Sequence, residues 1–222
     1  MHIHVQALLK PEELAQVHEL VDQGKFIDGS ATASMGAKSV KKNEQLDQND
    51  EATGKVQQII RDAIDDSPLI QQAFLPNKVR TPLISRYKAG MTYGWHVDSA
   101  LMDKPGIRTD LAMTVFLNNP TEYEGGELYL QTSAGQIPYK LNAGDAIVYP
   151  AVQVHGVAEV RSGHRLAAVT WIQSTIRSNE QRELLFNLSQ VQAMLNQKDP
   201  NSQEATLLMQ CYSNLMRMWV EV

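Results

Sequence analysis

The chain has 222 residues, 43% hydrophobic and 20% charged, the balance of an ordinary globular protein. Its formal charge of −5 provides no basic surface for nucleic acid, and no apolar run nears the ~20 residues that a membrane helix needs. Cys211 is the lone cysteine, so no intrachain disulfide forms, and Met1–Val5 lacks the basic and apolar regions of a secretory signal; both point to a reducing cytoplasm. Residues 2–9 alternate loosely and predict a first strand. Pro11 suits a first helical turn, Leu14, Val17, Leu20 and Val21 recur at helical spacing, and Gly24 ends the run. The stretch 28–50 is rich in Gly, Ser, Ala, Asn and Lys and reads as a long loop, with a strand around Lys38–Val40. A second helix follows from Glu51 to Ile64, with Val56, Ile59, Ile60, Ala63 and Ile64 on one face.

From residue 78 the period changes. Short runs bounded by Gly, Pro, Asn or Asp appear at 83–87, 94–98, 111–117, 127–130, 137–141, 146–149, 154–160 and 165–173. About eight strands at this spacing predict a sandwich or barrel, and a jelly roll keeps a cavity between its two sheets. After Thr175 the pattern is helical again. Ser178 with Gln181 resembles a capping box, and Leu184, Leu188, Val191 and Leu195 form a stripe. Asp199-Pro200 begins a last helix with Ala205, Leu208, Met209, Tyr212, Leu215, Met216 and Trp219 on one face and Cys211 as a small buried hydrophobe. The short connection makes these two helices antiparallel. Their one-sided apolar faces dock on the β-domain or join a second subunit, so a homo-oligomer through the C-terminal helices is one expectation.

The chemistry centres on Tyr93–Asp98. Residues i and i+2 of a strand share a face, so His96 and Asp98 project together. Two histidines and one carboxylate on one side of a metal, with the other positions open, suit non-haem Fe(II). The triplet alone is a weak signal. His155, 57 residues beyond Asp98, is the best second imidazole, and Arg165 follows ten residues later. If Arg161-Ser162-Gly163 is a hairpin loop pairing Val160 with His164, then His155 and Arg165 face one side, about 13 Å apart. That gap suits a small diacid, chelating metal at one end and meeting a guanidinium at the other. The alternative on the same register is a cross-strand ion pair of Glu159 and Arg165. His2 and His4 have no accompanying carboxylate and read as strand or surface residues, His18 and His164 as solvated, and Trp95 and Trp171 as core beside the site.

The series Arg86-Tyr87, Gly90, Tyr93–Asp98, Leu117-Asn118, Glu124–Leu128, Ala143–Ala146, His155–Val157 and Gly163–Arg165 resembles the Fe(II)- and 2-oxoglutarate-dependent dioxygenases of the prolyl/lysyl hydroxylase type. Within them it is most similar to the bacterial PKHD-type hydroxylases, some of which are linked with iron uptake. The resemblance spans nearly the whole chain. It implies a mainly β protein with flanking helices: a double-stranded β-helix (jelly roll) core plus a C-terminal helical hairpin. The dioxygenase unit would cover 1–176, with supporting helices over 1–77 and the core over 78–176, and the hairpin 177–222. The family's iron ligands fall on His96, Asp98 and His155, its 2-oxoglutarate arginine on Arg165, and a tyrosine that helps hold the co-substrate on Tyr87. The activity implied is hydroxylation of an unactivated C–H bond of an unidentified small-molecule or peptide substrate. Fe(2+) is the cofactor, 2-oxoglutarate and O2 are co-substrates, and L-ascorbate is the reductant. One departure is Phe116, where related prolyl hydroxylases often carry a second tyrosine. Two other readings stay open: a non-catalytic jelly-roll module that binds iron or a diacid, as an iron-homeostasis sensor would, and a cupin-like enzyme without a co-substrate.

Overall fold

The strand Leu111–Phe116 is apolar but for Thr114 because both its faces are buried. Leu111, Met113 and Val115 join a cluster with the helices, whereas Ala112 and Phe116 join a second cluster between two sheets. This two-sided burial organises the computed structural model, which describes residues 1–32, 38–103 and 106–221.

The larger sheet runs Ile3–Val5, Ala146–Pro150, Leu111–Phe116, Val160–Ser174, Leu83–Lys88, Glu44–Leu46 and Phe26–Asp28, with Pro76–Val79 and Tyr123–Gly125 also paired to Val160–Ser174. The smaller sheet runs Gly135–Tyr139, Leu128–Thr132, His155–Val157, Thr92–His96 and Lys41–Lys42. Neighbours in both are antiparallel. The two sheets face each other as the double-stranded β-helix, and Tyr87, Phe116, Tyr149 and Trp171 of one meet Leu128, Leu130 and Val157 of the other.

Helices α1 (Pro11–Gln23), α2 (Glu51–Asp65) and α3 (Pro68–Phe74) cover the outer face of the larger sheet. Asp50 accepts from Ala52 N at the start of α2 (3.1 Å), and Ser67 accepts from Ile70 N at the start of α3 (3.4 Å). Val17, Val56, Ile60, Ile64 and Phe74 are wholly buried, each such side chain contributing roughly 1.5–3 kcal/mol. The seven-residue α3 was not predicted: its Ser67-Pro68 start is too brief to establish a period.

The reading of 28–50 as loop is corrected on both sides of residues 33–37, which lie outside the described residues. Lys38–Val40 is a single 3-10 turn, Lys41–Lys42 is an edge strand of the smaller sheet, and Glu44–Leu46 lies between Leu83–Lys88 and Phe26–Asp28 in the larger. These strands are polar and short, so they show no hydrophobic alternation. Glu44 is held by Arg86 (2.6 Å) and Lys88 (3.0 Å).

The hairpin predicted at Arg161-Ser162-Gly163 does not form. Val160–Ser174 is one strand of 15 residues, and Gly163 (φ 70°) is a left-handed bend within it, opposite Tyr123. Arg165 therefore pairs with Tyr87, not Glu159. Alternation along this strand sends Leu166, Ala168 and Ile172 to the helices and Arg165, Val169 and Trp171 to the inter-sheet space.

Helices α4 (Asn179–Lys198) and α5 (Gln203–Trp219) form the C-terminal hairpin. Ser178 accepts from Gln181 N (3.3 Å), the serine half of the expected capping box, while α5 starts at Ser202, later than the predicted Asp199-Pro200. The buried face of α4 is Arg182, Leu185 and Ser189, a correction to the Leu184/Val191 stripe, which is about half exposed. Arg182 anchors this face by donating to the carbonyls of Ile176 (2.6 Å) and Arg177 (2.9 Å). Cys211 is exposed, because only Ala205 of α5 is fully buried. The far end is tied back by Arg108, which bridges Asp110 (2.7 Å) and Glu221 (2.7 Å).

Gly125 takes a left-handed φ of 73°, and a Cβ there would lie 2.1 Å from the Glu159 carbonyl oxygen. Replacing it by alanine is expected to destabilise the fold by about 2 kcal/mol, read as a lower urea midpoint. An unchanged midpoint contradicts the turn geometry.

Candidate metal centre

His96 closes the strand Thr92–His96, and its direct partner on the neighbouring strand is His155. Cross-strand partners share a face, so the imidazoles meet with ring centroids 4.3 Å apart. Asp98 lies two residues past the ladder, outside the strand that was predicted to hold it. The alternation nevertheless carries over: His96 and Asp98 turn inward, while Trp95 and Val97 turn outward at 47% and 46% exposure. The reading of Trp95 as core is thus corrected by parity alone.

Asp98 Oδ1 lies 3.8 Å from His96 Nε2, and Asp98 Oδ2 lies 3.7 Å from His155 Nε2. The three donor atoms fall within 4.8 Å of one another, the spacing of a potential metal centre. Each imidazole is oriented from behind. His96 Nδ1 donates to the Gly94 carbonyl (2.9 Å) and His155 Nδ1 to the Gln153 carbonyl (2.9 Å), so both Nε2 lone pairs face the gap. Burial, with His155 beside it, pushes the His96 imidazole down to about 4, so it is neutral near pH 7. Tyr93 stacks on His96 (3.7 Å, 15°), and Tyr149 meets His155 edge-on at 5.4 Å.

Trp171, expected only to pack, donates from Nε1 to Asp98 Oδ2 (2.8 Å) and fixes the carboxylate. Position along the strand could have revealed this, since Trp171 is six residues from Arg165 and shares its face. Trp171→Phe is expected to keep the fold and weaken Mn(II) or Fe(II) binding 10- to 100-fold by titration. Wild-type affinity in that variant would deny Trp171 its orienting role.

The triad opens into a cavity of about 310 Å³ between the sheets. Arg165 lines it and is 1% exposed. Its guanidinium lies 5.4 Å from the centres of the Tyr87 and Phe116 rings, and its Nε has no hydrogen-bond partner. A buried guanidinium with an unmet donor is costly unless an anion completes it. Burial and the approach of Gly126, whose added Cβ would lie 3.2 Å from Arg165 Cδ, confine it to this place. The cavity thus joins a two-imidazole, one-carboxylate donor set to a buried cation. This pattern fits a ferrous ion and a dicarboxylate together.

His4, assigned no carboxylate from the sequence, pairs with Asp145 (2.8 Å), and His2 meets Gln153 and the Tyr139 hydroxyl. Both pin the N-terminal segment, and His2 does so on Gln153, whose carbonyl orients His155. His164 is exposed.

The class follows from fold and sequence together: residues 82–173 match the 2OG-Fe(II) oxygenase superfamily, and residues 179–221 match the PKHD-type hydroxylase C-terminal domain. A PKHD-type hydroxylase of Thermosynechococcus vestitus is 42% identical over 224 residues, and one of Burkholderia ambifaria is 38% identical over 226, each covering all of both chains. The fold is similar to that of a solved prolyl hydroxylase from Trichoplax adhaerens, with TM-score 0.55 and 15% identity over 83% of this chain and 86% of that one. The chain belongs to the PKHD-type hydroxylases. It is accordingly an oxidoreductase of the dioxygenase class that uses Fe(2+), 2-oxoglutarate and O2.

Proposed function

We propose that His96, Asp98 and His155 hold the iron, and that Arg165, flanked by Tyr87, takes the distal carboxylate of 2-oxoglutarate. The carrying observation is one cavity that contains both the three-donor cluster and a buried arginine with an unmet Nε. When bound, the ferrous ion supplies dioxygen activation: one oxygen atom goes to the succinate formed with CO2, the other into a substrate C–H bond.

The protein's part is to bind, orient and exclude water. Arg165 offers a planar fork in apolar surroundings, where a charge-assisted pair is stronger than in water. Phe116 stands where related enzymes often carry a phenol, and the phenols beside Arg165 here are Tyr87 and the buried Tyr123. Burial raises the Tyr87 hydroxyl above its ordinary value and keeps it protonated, able to donate. The Nδ1 contacts and the Trp171 bond hold the three ligands in place, so little reorganisation is needed when metal binds. No protein acid or base is required.

Asp98→Ala is expected to abolish succinate formation from 2-oxoglutarate while leaving the circular dichroism spectrum unchanged. Near-normal turnover in that variant would contradict the assignment. Arg165→Glu is expected to abolish it as well; activity indifferent to this charge reversal would favour a cupin-like reaction without a co-substrate.

The hairpin 177–222 forms a unit distinct from the dioxygenase domain 1–176 and mediates self-association. Met194, Leu207, Met209 and Met218 are 50–73% exposed on it, which supports that reading. Sedimentation of the full chain is expected to give a dimer, and Met209→Glu with Met218→Glu a monomer; equal mass for both rejects this interface. The protein acts in the cytoplasm, with L-ascorbate restoring oxidised iron.

A further inference from the structure

The cavity has a second charged end that the assignment above does not use. Its described lining carries five charged side chains besides the histidines: Lys41, Arg80 and Arg165 against Asp98 and Asp103. The protein balance is therefore +1. A ferrous ion and the 2-oxoglutarate dianion cancel each other, so binding both leaves the lining's balance unchanged, with Asp28 acting on Lys41 from outside it. In a largely apolar space such an imbalance favours an anion.

The two unused cations lie together and away from Arg165. Lys41 Nζ stands over the Tyr93 ring (5.4 Å), and Tyr93 stacks on the ligand His96. The Arg80 guanidinium stands over Trp171 (5.3 Å), which holds the ligand Asp98. Each cation thus sits one aromatic ring away from a metal ligand. Trp171 is six residues along the strand from Arg165, about 20 Å of backbone, so Arg80 and Arg165 occupy opposite ends. The charges that act on Lys41 are Asp98, Asp28 and Arg80, which sets it at the Arg80 end, and burial brings its ammonium down to about 8.

Arg80 is incompletely satisfied. Its Nε and Nη2 grip Asp103 (2.9 and 3.0 Å), which fixes the guanidinium plane, while its buried Nη1 has no partner. Asp103 holds a left-handed φ of 63°, uncommon for a residue with a side chain, in making this grip. Lys41 is 8% exposed and Arg80 is 19% exposed at its side chain, so neither is an ordinary solvated surface charge.

We propose that Lys41 and Arg80 form a substrate-carboxylate site, so that the molecule hydroxylated is an organic acid whose carboxylate lies between these two cations and whose reacting C–H faces the triad. This rests on the iron and 2-oxoglutarate assignment above. A free small acid and a peptide presenting an acidic side chain or a C-terminus share this chemistry. Tyr93 and Trp171 supply the apolar walls along which the carbon chain of either would lie.

The test uses the full-length protein with Fe(II) and saturating 2-oxoglutarate under nitrogen, so that binding is read without turnover. Calorimetric titration compares matched acid and amide pairs: N-acetyl amino acids against their amides, and short peptides carrying Glu or a C-terminal acid against Gln or a C-terminal amide. The better binders are expected to be acids, preferred at least tenfold over their amides. Lys41→Met and Arg80→Met should each shrink that preference to within threefold, and Lys41→Arg should keep it. The N-acetyl arm and the peptide arm separate a small-molecule source from a peptide one. Equal binding of acid and amide, no binding of any carboxylate, or an undiminished preference in both Met variants overturns the site, and the first two outcomes need no variant to fold. In parallel, the wild-type protein in air is assayed for succinate. Its absence would defeat the underlying enzymatic assignment, whereas succinate without acid preference defeats only the carboxylate site.

Discussion

Cross-strand pairing of His96 with His155 is the constraint on which the arrangement depends. Two residues far apart in the chain become direct partners in an antiparallel ladder, and pairing alone sets their imidazoles on one face. Everything nearby serves that meeting. Backbone carbonyls two residues before each histidine fix the ring planes, and Trp171 reaches from the opposite sheet to hold Asp98 beside them. The larger sheet in turn needs α1–α3 on its outer face, because its central strands are apolar on both sides.

The second governing feature is a buried charge left incomplete. Isolating a guanidinium from water costs several kcal/mol unless partners compensate, so keeping Arg165 at 1% exposure with an unmet Nε costs the fold stability. The flanking rings of Tyr87 and Phe116 recover part of that cost through cation–π attraction. Arg182 shows the contrasting case. It is equally buried, but it donates to main-chain carbonyls and serves only to seat the hairpin. Burial alone would not separate the two roles; hydrogen-bond completeness does.

The triad was legible in the sequence because period-2 alternation survives even where the ladder stops, as at Asp98. The jelly roll was legible because eight short runs with turn chemistry leave few other architectures. Of the features that were not, three are instructive. Gly163 signals a turn equally well whether the chain reverses or merely bends within a strand, so the route to Arg165 was misread although its inward face was right. Lys41 and Glu44 lie in strands too polar and short to show a period; they are held by ladder bonds and ion pairs that only assembled sheets provide. On the hairpin, Leu184 and Val191 make as good a stripe as any, yet the docked face centres on Arg182. Apolar spacing identifies a helix without saying which of two candidate faces finds a partner.

The unbroken strand Val160–Ser174 has a consequence for how this protein can change over time. It carries Arg165 and Trp171 on a single rigid rail, and therefore works as a ruler between the buried guanidinium and the indole that holds Asp98. Losing or gaining one residue between them would turn one of the pair out of the barrel, and a two-residue change would preserve direction while sliding the marks by roughly 6–7 Å. Surface loops at either end can lengthen or diverge to suit different guests. The span between these two graduations cannot, so drift in what the enzyme accepts must come from residues other than those that measure it.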